Sequence, residues 1–393
     1  MNNNLIRKYG CRFLNRLKAK GIVDIPIANS KICNDQWSSS EIKEVLLRTS
    51  LNGSSKSIRD EIDLMENAPT SHTILRRLAR DDCFDVLDSI NQLLRDNFEK
   101  LSLNNYYSEN NPLYIAIDGH YEPYYGEITS WLAGQSRKKS TNYFIGFVAM
   151  YIVHPGRPLL LGLTPLVENS EPKSGIFLFK QVESLLERFR VIFLGDGHFA
   201  TIEMLKYLCS LNYDYIIRKS RIGRIKDLCE SQRSQSLRLN HGFIQKYQMI
   251  RKKKGGGRIW TQLVVMKRRS NPRNKRPDHD ILTWVTSMPR YGPKRLVELF
   301  KRRFRIENSF REMRPFLIKS CSKNMDIRFQ LLWWAVLIHY YLELFLLTDP
   351  QIVKKTKNIT IKFIKKPVKQ NGIIAHSYLH IISKNFTSKE VKL

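Results

Sequence analysis

The sequence predicts an α/β fold with a mixed sheet, preceded by a small helical module and interrupted by a mostly β insertion. After Pro112, short apolar runs alternate with amphipathic helical segments, which is the pattern of an α/β sheet. Two of these runs flank a turn, so part of the sheet should be antiparallel. Three short segments of helical periodicity between residues 38 and 80 predict the module. The 393 residues suffice for two or three domains.

Charge is the strongest signal in the composition. The chain has 66 Lys and Arg against 36 Asp and Glu, a formal net charge of +30, which indicates a polyanionic partner such as nucleic acid or an anionic membrane surface. Hydrophobic residues at 42% and aromatic residues at 11% exclude a disordered chain. The cysteines form no CxxC pair, which argues against a zinc ribbon and favours reduced thiols in the cytoplasm.

The helical module is predicted from its capping residues. Ser38 and Glu41 have capping-box spacing, and Ser57 can cap a second helix. Three short helices joined by tight turns fit a helix-turn-helix, whose third helix would present Arg76 and Arg77 to the major groove of DNA. An ordinary helical bundle with solvated arginines fits the pattern equally well.

The α/β region contains apolar runs of strand type separated by helical segments. The runs at 142–153 and 159–166 flank the turn at 154–158 and predict a hairpin. The other strands are expected at 113–118, 191–196 and 213–217, with helices over 176–186 and 201–211.

Residues 220–285 predict a basic β insertion. The segments 243–250 and 259–266 read as hairpin strands around a glycine-rich turn, and no acid occurs between Arg251 and Arg276. Beyond it, residues 331–347 are almost entirely apolar, at the short limit for a membrane span, and include His339 and Glu343. We therefore predict a buried core helix there and no membrane partner.

Two aspartates are predicted at the ends of strands. Asp118 closes the first apolar run and Asp196 the fourth, and a glycine follows each. Side chains at the carboxyl ends of sheet strands lie where α/β proteins bind ligands. Two such carboxylates repel each other unless cations lie between them, and hard divalent ions are the expected ones. An Asp-Gly turn without function is the alternative.

A third carboxylate, Glu307, is predicted on a helix. Phe300, Arg303, Glu307 and Arg314 fall within roughly 60° of one helix face. A carboxylate flanked by cations can hold a metal while its neighbours bind phosphates. The alternative is an exposed, salt-bridged helix face, and Pro315 disfavours helical geometry at Arg314.

These acids, in this order, resemble those of the DDE transposases of prokaryotic insertion sequences. Members with a long β insertion carry the pattern Y-x2-R-x3-E-x6-K, to which Phe300, Arg303, Glu307 and Arg314 correspond, with Phe for Tyr and Arg for Lys. DGHYEPYYG (118–126) is similar to the first-acid segment and LGDGHF (194–199) to the second. The resemblance covers about 112–347 and implies a ribonuclease-H-like core. Phe300 lacks a hydroxyl, and Arg314 favours bidentate phosphate contacts.

The resemblance implies a metal-dependent enzyme that acts on DNA. Asp118, Asp196 and Glu307 would be the catalytic residues and the ligands of two Mg²⁺ or Mn²⁺ ions, which support in-line phosphodiester displacement. The expected partner is double-stranded DNA, at transposon ends and target, bound by a homodimer associated with the nucleoid. Expected DNA contacts are made by Phe300, Arg303, Arg314, Lys252, Lys253, Lys254, Trp260, Arg76 and Arg77. Trp260 would stack on an extruded base or simply pack in its hairpin.

The predicted organisation has four parts, and other functions stay open. The parts are a helical region at 1–110, a core at 111–219 and 286–348, the insertion at 220–285 and a basic tail at 349–393. His154 and Arg157 form the HxxR of tyrosine recombinases, but they lie in a turn between strands, whereas those cores are mainly helical. A non-catalytic DNA-binding protein on a transposase scaffold and a metal-dependent nuclease are the remaining alternatives.

Overall fold

The computed structural model describes the regions that contain all three predicted acids. It covers residues 25–28, 36–51, 57–63, 65, 67–104, 106–126, 132–138, 141–220, 223–231, 242–250, 257–267 and 281–348, and four short strands beyond residue 358. Lys252, Lys253 and Lys254 lie outside the described residues, so their predicted contact with DNA stays a prediction.

The helices and strands follow the alternation that the sequence predicts. The helices are α1 (Ser39–Leu51), α2 (Ile58–Ile62), α3 (Ser71–Leu78), α4 (Cys83–Leu103), α5 (Glu171–Leu186), α6 (Ile202–Ser210), α7 (Arg224–Ser231), α8 (Pro293–Phe300), α9 (Phe304–Met313) and α10 (Met325–Thr348). The strands of the large sheet are β1 (Leu113–Pro123), β2 (Leu132–Lys138), β3 (Thr141–His154), β4 (Leu159–Pro165), β5 (Val191–Gly195), β6 (Asp214–Arg218), β7 (Phe243–Ile250), β8 (Arg258–Lys267) and β9 (Ile281–Thr286). In the tail, β10 (Ile359–Phe363) pairs with β13 (Leu379–Ser383), and β11 (Val368–Gln370) pairs with β12 (Ile373–Ala375).

The chain divides into two units. The first unit comprises Met1–Leu93, Tyr125–Ile128 and Asn308–Leu393, and the second comprises Leu94–Tyr124 and Thr129–Glu307. The apolar helix α10 therefore belongs to the same unit as the N-terminal helices, whereas the sequence-based division assigned it to the core.

In the first unit, the three predicted helices begin at the residues expected to cap them. Glu41 Oε2 accepts hydrogen bonds from the Ser38 backbone N–H and hydroxyl, both at 2.7 Å, which completes the capping box. Ser57 and Asp60 form a second capping box at α2, and Thr70 caps α3. These bonds satisfy backbone N–H groups that have no partner within the helix.

The apolar helix α10 is a core helix of the first unit, as predicted. Among the described residues it is the one helix that is long and apolar enough to cross a membrane. However, 83% of its most apolar 18-residue stretch is buried inside the protein. Gln330 Nε2 donates to the carbonyls of Leu78 at 2.6 Å and Asp81 at 2.8 Å. Trp334 Nε1 donates to Ser50 Oγ at 2.9 Å. Two polar side chains of α10, those of Gln330 and Trp334, are thus hydrogen-bonded to the N-terminal helical region.

The second unit is built on a mixed sheet with the strand order β2-β3-β1-β5-β6-β9-β8-β7, with β4 also paired to β3. β1, β5 and β6 are parallel because the helices α5 and α6 lie in the connections leading to β5 and β6. β3 runs antiparallel to both β1 and β4, so the predicted hairpin forms. The predicted α/β fold with a mixed sheet is therefore confirmed.

The predicted β insertion continues this same sheet. β9 pairs antiparallel with β6, and β8 joins β9 to β7, so the hairpin of β7 and β8 extends the edge of the sheet. A small buried cluster of Ile225, Cys229, Leu263 and Val265 holds α7 against β8. β2 was not predicted from the sequence because its residues lack apolar alternation. β9 and α7 were also not predicted as separate elements.

Candidate active site

Asp196 lies where the sequence predicted it, directly after β5. Its carboxylate is tied down locally, because Oδ1 accepts the backbone N–H of His198 at 2.9 Å. This bond is an Asx turn, which holds the carboxylate at the carboxyl end of a parallel strand. The other carboxylate oxygen lies 3.8 Å from His198 Nδ1.

Asp118 does not end its strand, so that detail of the sequence reading was wrong. β1 continues to Pro123 because it pairs antiparallel with β3, and Asp118 lies opposite Ala149. The parallel pairing of β1 with β5 runs only from Leu113 to Ala116. Asp118 therefore lies just beyond the parallel part of the sheet, with its Oδ1 bonded to the N–H of Gly119 at 3.0 Å.

The predicted helix bearing Glu307 is interrupted. α8 ends at Phe300, Lys301–Arg303 form a 3₁₀ turn, and α9 carries Glu307 in its first turn. Even so, Arg303 reaches Glu307, since its Nη2 donates to Glu307 Oε1. Arg303 Nη1 also donates to Asp118 Oδ2 at 3.2 Å. One guanidinium thus joins two of the three predicted acids.

Two residues predicted to touch DNA are instead buried beneath these acids. Arg303 is 8% exposed and Phe300 is 4% exposed. The Phe300 ring packs edge-on against Trp284 at 5.8 Å and lies 5.9 Å from the Arg303 guanidinium carbon. Arg303 contacts two carboxylates and Phe300 packs beside Arg303, and the predicted contacts of both residues with DNA stay predictions.

Arg314 is exposed and starts the 3₁₀ turn Arg314–Phe316 after α9 ends at Met313. The sequence reading expected this end of the helix from Pro315. The exposed guanidinium leaves the predicted contact of Arg314 with DNA open.

Glu171 is the acid that the sequence reading missed. It is the first residue of α5, and its carboxylate accepts the Tyr121 hydroxyl at 2.6 Å and lies 3.1 Å from His198 Nδ1. A Cβ at Gly119 would lie 2.5 Å from Glu171 Oε1, so only glycine admits the carboxylate here. The one sequence signal is the Ser170-Glu171-Pro172 helix start, which resembles any capped helix.

Burial and neighbouring charges shift the pKa of Asp118 and that of His198. Burial is the main cause that raises the pKa of Asp118 to about 7, and the negative charges of Asp196, Glu171 and Glu307 raise it further, while Arg303 opposes the shift. For His198, burial lowers the pKa, but the carboxylates of Asp196 and Glu171 outweigh it, so its pKa is raised.

The metal-binding potential is centred on Asp196. Ligand atoms of Glu171, Asp196 and His198 all lie within 4.8 Å of one another. Within the described part of the chain, the trio Asp118, Asp196 and Glu307 does not form such a compact group. The guanidinium of Arg303, which contacts Asp118 and Glu307, supplies positive charge that these two acids would otherwise receive from a cation.

The two arginines of α3 differ in exposure. Arg77 is 1% exposed and donates to the Trp37 carbonyl at 2.9 Å and to Ser39 Oγ at 3.4 Å. Its guanidinium is therefore buried within the first unit, and its predicted role in reading bases stays a prediction. Arg76 is exposed, and its contact with DNA stays a prediction.

Trp260 lies on β8 and is 56% exposed. Lys246 Nζ, on the adjacent strand β7, lies 4.8 Å from the centre of its ring. A cation beside an exposed indole suits contact with a nucleic acid, since bases stack on aromatic rings and phosphates attract lysine.

Comparisons with known proteins find one family that matches part of this chain. Residues 170–342 match the family model described as the transposase DDE domain, a stretch that contains Asp196 and Glu307. A solved structure similar to this chain is the cryo-EM structure of the piggyBac transposase synaptic complex with hairpin DNA, at 13% identity and a TM-score of 0.45, covering 85% of this chain and 75% of that chain. A search of curated proteins finds no match. The predicted resemblance of this chain to the DDE transposases is thus confirmed over residues 170–342.

Proposed function

We propose that this chain is a DNA transposase that cleaves phosphodiester bonds at the ends of an insertion sequence and joins the 3′-hydroxyl to target DNA. The bridge that Arg303 makes between Asp118 and Glu307 is the observation that supports it best. Asp118 and Arg303 are 185 residues apart in sequence, yet their side chains are hydrogen-bonded. Gathering carboxylates that repel one another is unfavourable for a fold, so the arrangement favours a catalytic role.

The donor atoms fit a pair of hard divalent ions. Asp118, Asp196 and Glu307 offer only carboxylate oxygens, which Mg²⁺ and Mn²⁺ prefer. These three residues would hold the ions, which when bound supply positive charge at the attacking and leaving oxygens of an in-line displacement. Glu171 has a positioning role, because its two oxygens contact Tyr121 and His198.

Arg303 prepares the carboxylates. Its positive charge lowers the pKa of Asp118 against the effect of burial, which favours the ionised form that a cation needs. The same guanidinium fixes the Glu307 side chain from one turn away along the helix. Phe300 packs against Trp284 and lies beside the Arg303 guanidinium, so the Phe in place of the family's Tyr serves packing rather than hydrogen bonding.

The expected partner is double-stranded DNA, bound by a homodimer in the cytoplasm. The net charge of +30 supports a polyanionic partner. The exposed Arg76, Arg314 and Trp260 are the described residues proposed to contact DNA, together with Lys252–Lys254 of the basic turn. Contacts from arginine and lysine to phosphates would give affinity, and a sequence preference would require contacts to base edges.

Strand transfer tests the proposal directly. Purified protein is incubated with Mg²⁺, the DNA that flanks its gene and a supercoiled target plasmid, and joined products are sequenced. We expect joined ends at constant positions of the flanking DNA, and none from the Asp196→Asn variant. Cleavage without joining would support the nuclease alternative. Binding without cleavage would support the non-catalytic alternative.

A further inference from the structure

A second group of ionisable residues lies in the first unit, outside the predicted active site. His339 and Glu343 are one turn apart on α10, and Glu312 approaches them from α9. His339 and Glu343 are each only 2% exposed, on a helix whose other residues are nearly all apolar. No step of the proposed transposition chemistry uses these residues.

Burial of these groups is unfavourable unless a partner compensates their charge. An ionised carboxylate loses its hydration when it is buried, and a direct hydrogen bond or a cation must replace that hydration. His339 Nε2 has no hydrogen-bond partner in the described structure, although it is fully buried. It points between the two carboxylates, 3.7 Å from Glu312 Oε2 and 3.9 Å from Glu343 Oε1.

These separations do not fit direct hydrogen bonds. An N–H···O bond has a donor–acceptor distance of about 2.7–3.2 Å. They fit donors that share a metal ion, because ligands about 2.0–2.2 Å from a metal lie about 3–4 Å from one another. One ligand atom from each of the three residues lies within 4.8 Å of the other two.

We propose that Glu312, His339 and Glu343 bind one divalent transition-metal ion of the Zn²⁺ or Co²⁺ type. An imidazole nitrogen with two carboxylates suits such ions better than Mg²⁺, which prefers oxygen ligands and keeps several waters. Glu312 has a 41% exposed side chain, so the site is accessible from solvent on its side. The ion ties α9 to α10 and stabilises the first unit.

The test uses the full-length chain with the catalytic acids replaced. In the Asp118→Asn, Asp196→Asn, His198→Asn, Glu307→Gln background, all three predicted catalytic acids and two of the three ligands of the group around Asp196 are replaced. The protein is stripped with a chelator and titrated with Co²⁺, whose visible absorption reports imidazole and carboxylate ligation, and with Zn²⁺ by calorimetry. We expect one ion per chain. At a hundredfold excess over Kd, the metal should raise the Tm by about 5 °C.

His339→Gln in this background should weaken Co²⁺ binding at least about 100-fold and abolish the rise in Tm. The matched control is His72→Gln, which replaces an exposed histidine on α3. This substitution should change neither the affinity for Co²⁺ nor the rise in Tm. If His339→Gln does not fold, the same measurements are made on Glu312→Gln. The Glu312 side chain is partly exposed, so we expect this variant to fold. Undiminished Co²⁺ binding in the deciding variant, or no Tm shift in the parent, would overturn the proposal.

Discussion

Each unit of this protein buries an arginine that the sequence reading assigned to DNA, and the two arginines have different partners. Arg303 in the second unit contacts the carboxylates of Asp118 and Glu307. Arg77 in the first unit donates to the Trp37 carbonyl and the Ser39 hydroxyl. Ionised partners respond to metal and pH, whereas neutral partners only fix a geometry. The comparison therefore predicts that changes around Arg303 alter chemistry and changes around Arg77 alter stability.

Glu307→Gln should have the largest effect on activity. The substitution keeps the size of the side chain but removes the charge that a divalent ion needs, so cleavage and strand transfer should fall by about 1,000-fold or more. DNA binding should persist, since one repulsive charge near the phosphates is removed. Activity is measured as joined product per hour at saturating Mg²⁺.

Glu298→Gln is the matched control for this substitution. Glu298 lies on α8 with a 60% exposed side chain paired to Arg295, and its loss should leave activity within about twofold. Normal cleavage by Glu307→Gln would remove this acid from the catalytic set.

Arg303→Met should separate folding from chemistry in the same region. Methionine fills the space beside Phe300 but leaves Asp118 and Glu307 without their shared cation, so the two carboxylates repel each other. We expect activity to fall by about 100-fold and the Mg²⁺ concentration for half-maximal activity to rise. Arg302→Met, at the neighbouring position, should retain that Mg²⁺ requirement. An unchanged Mg²⁺ requirement in Arg303→Met would assign Arg303 a packing role alone.

Arg77→Met should act on stability. The buried guanidinium donates to the partly buried Trp37 carbonyl and to the Ser39 hydroxyl, and the loss of these two hydrogen bonds costs about 1–3 kcal/mol of the free energy of unfolding. Urea unfolding measures this loss. Arg76→Ala is the matched partner: it should unfold normally but weaken binding to transposon-end DNA by about 1–3 kcal/mol. Loss of DNA binding by a normally stable Arg77→Met would reverse the assignment of the two arginines.

Glu171→Gln should lower the cleavage rate by about 10-fold to 100-fold without weakening DNA binding. Tyr121 and His198 contact different oxygens of the carboxylate, and the amide replaces one of these oxygens with an NH₂ group, so one of the two contacts is changed. A structural role alone would lower the Tm and leave the rate of the folded fraction unchanged. Glu168→Gln serves as control, because Glu168 is exposed and paired to Lys173 just before the same helix.

The contrast between the two arginines also explains what the sequence could predict. The spacing of apolar residues, together with capping residues such as Ser38 and Ser57, was sufficient to predict the helices of the first unit. Local apolar runs were sufficient to predict β3, β4 and β5. The position of Asp196 directly after a strand followed from the strand pattern, and that of Glu307 on a helix from the spacing of its neighbours, whereas Asp118 lies inside a strand that continues to Pro123. The burial of Arg303 and Arg77 could not be predicted from the sequence. An arginine has the same sequence pattern around it whether its partner is a phosphate, a carbonyl or a carboxylate.

Glu171 and the extent of β1 were not predictable for a related reason. Both depend on contacts between segments distant in sequence: Glu171 approaches Gly119, and β1 is prolonged by its pairing with β3. The three residues Glu312, His339 and Glu343 likewise become a group only when α9 packs on α10. Chemistry that arises from tertiary contacts has no local pattern to reveal it.

The smallest expected effect is a change in the pH dependence of stability at His154. This residue lies near Arg302 and Arg305 and is not part of the predicted active site. Burial, and then the positive charges of Arg302 and Arg305, lower its pKa from the usual 6.5 to about 4. Arg305 itself donates to the carbonyls of Val153 at 2.7 Å and Gly156 at 2.5 Å, as Arg77 does to a carbonyl in the first unit. Between pH 6.5 and pH 4 the unfolded chain binds a proton at this residue and the folded chain does not. The contribution of His154 therefore destabilises the fold as the pH falls through that window.

His154→Phe should remove this pH dependence, because the ring contact with Tyr114 is retained and no group titrates. The difference in the free energy of unfolding between variant and parent should grow in favour of the variant by about 1 kcal/mol from pH 7 to pH 4.5, a value reduced because the ring is only half-buried. Other titrating groups are common to both proteins and cancel in the difference. Urea unfolding at several pH values measures it, with His72→Phe as the exposed control. If the free energy of unfolding depends on pH in the same way in the parent and in His154→Phe, the neighbouring guanidiniums are too well screened by solvent to lower the pKa of His154. In that case only arginines in direct contact with their partners, such as Arg303 and Arg77, affect the ionisation or the stability of the residues around them.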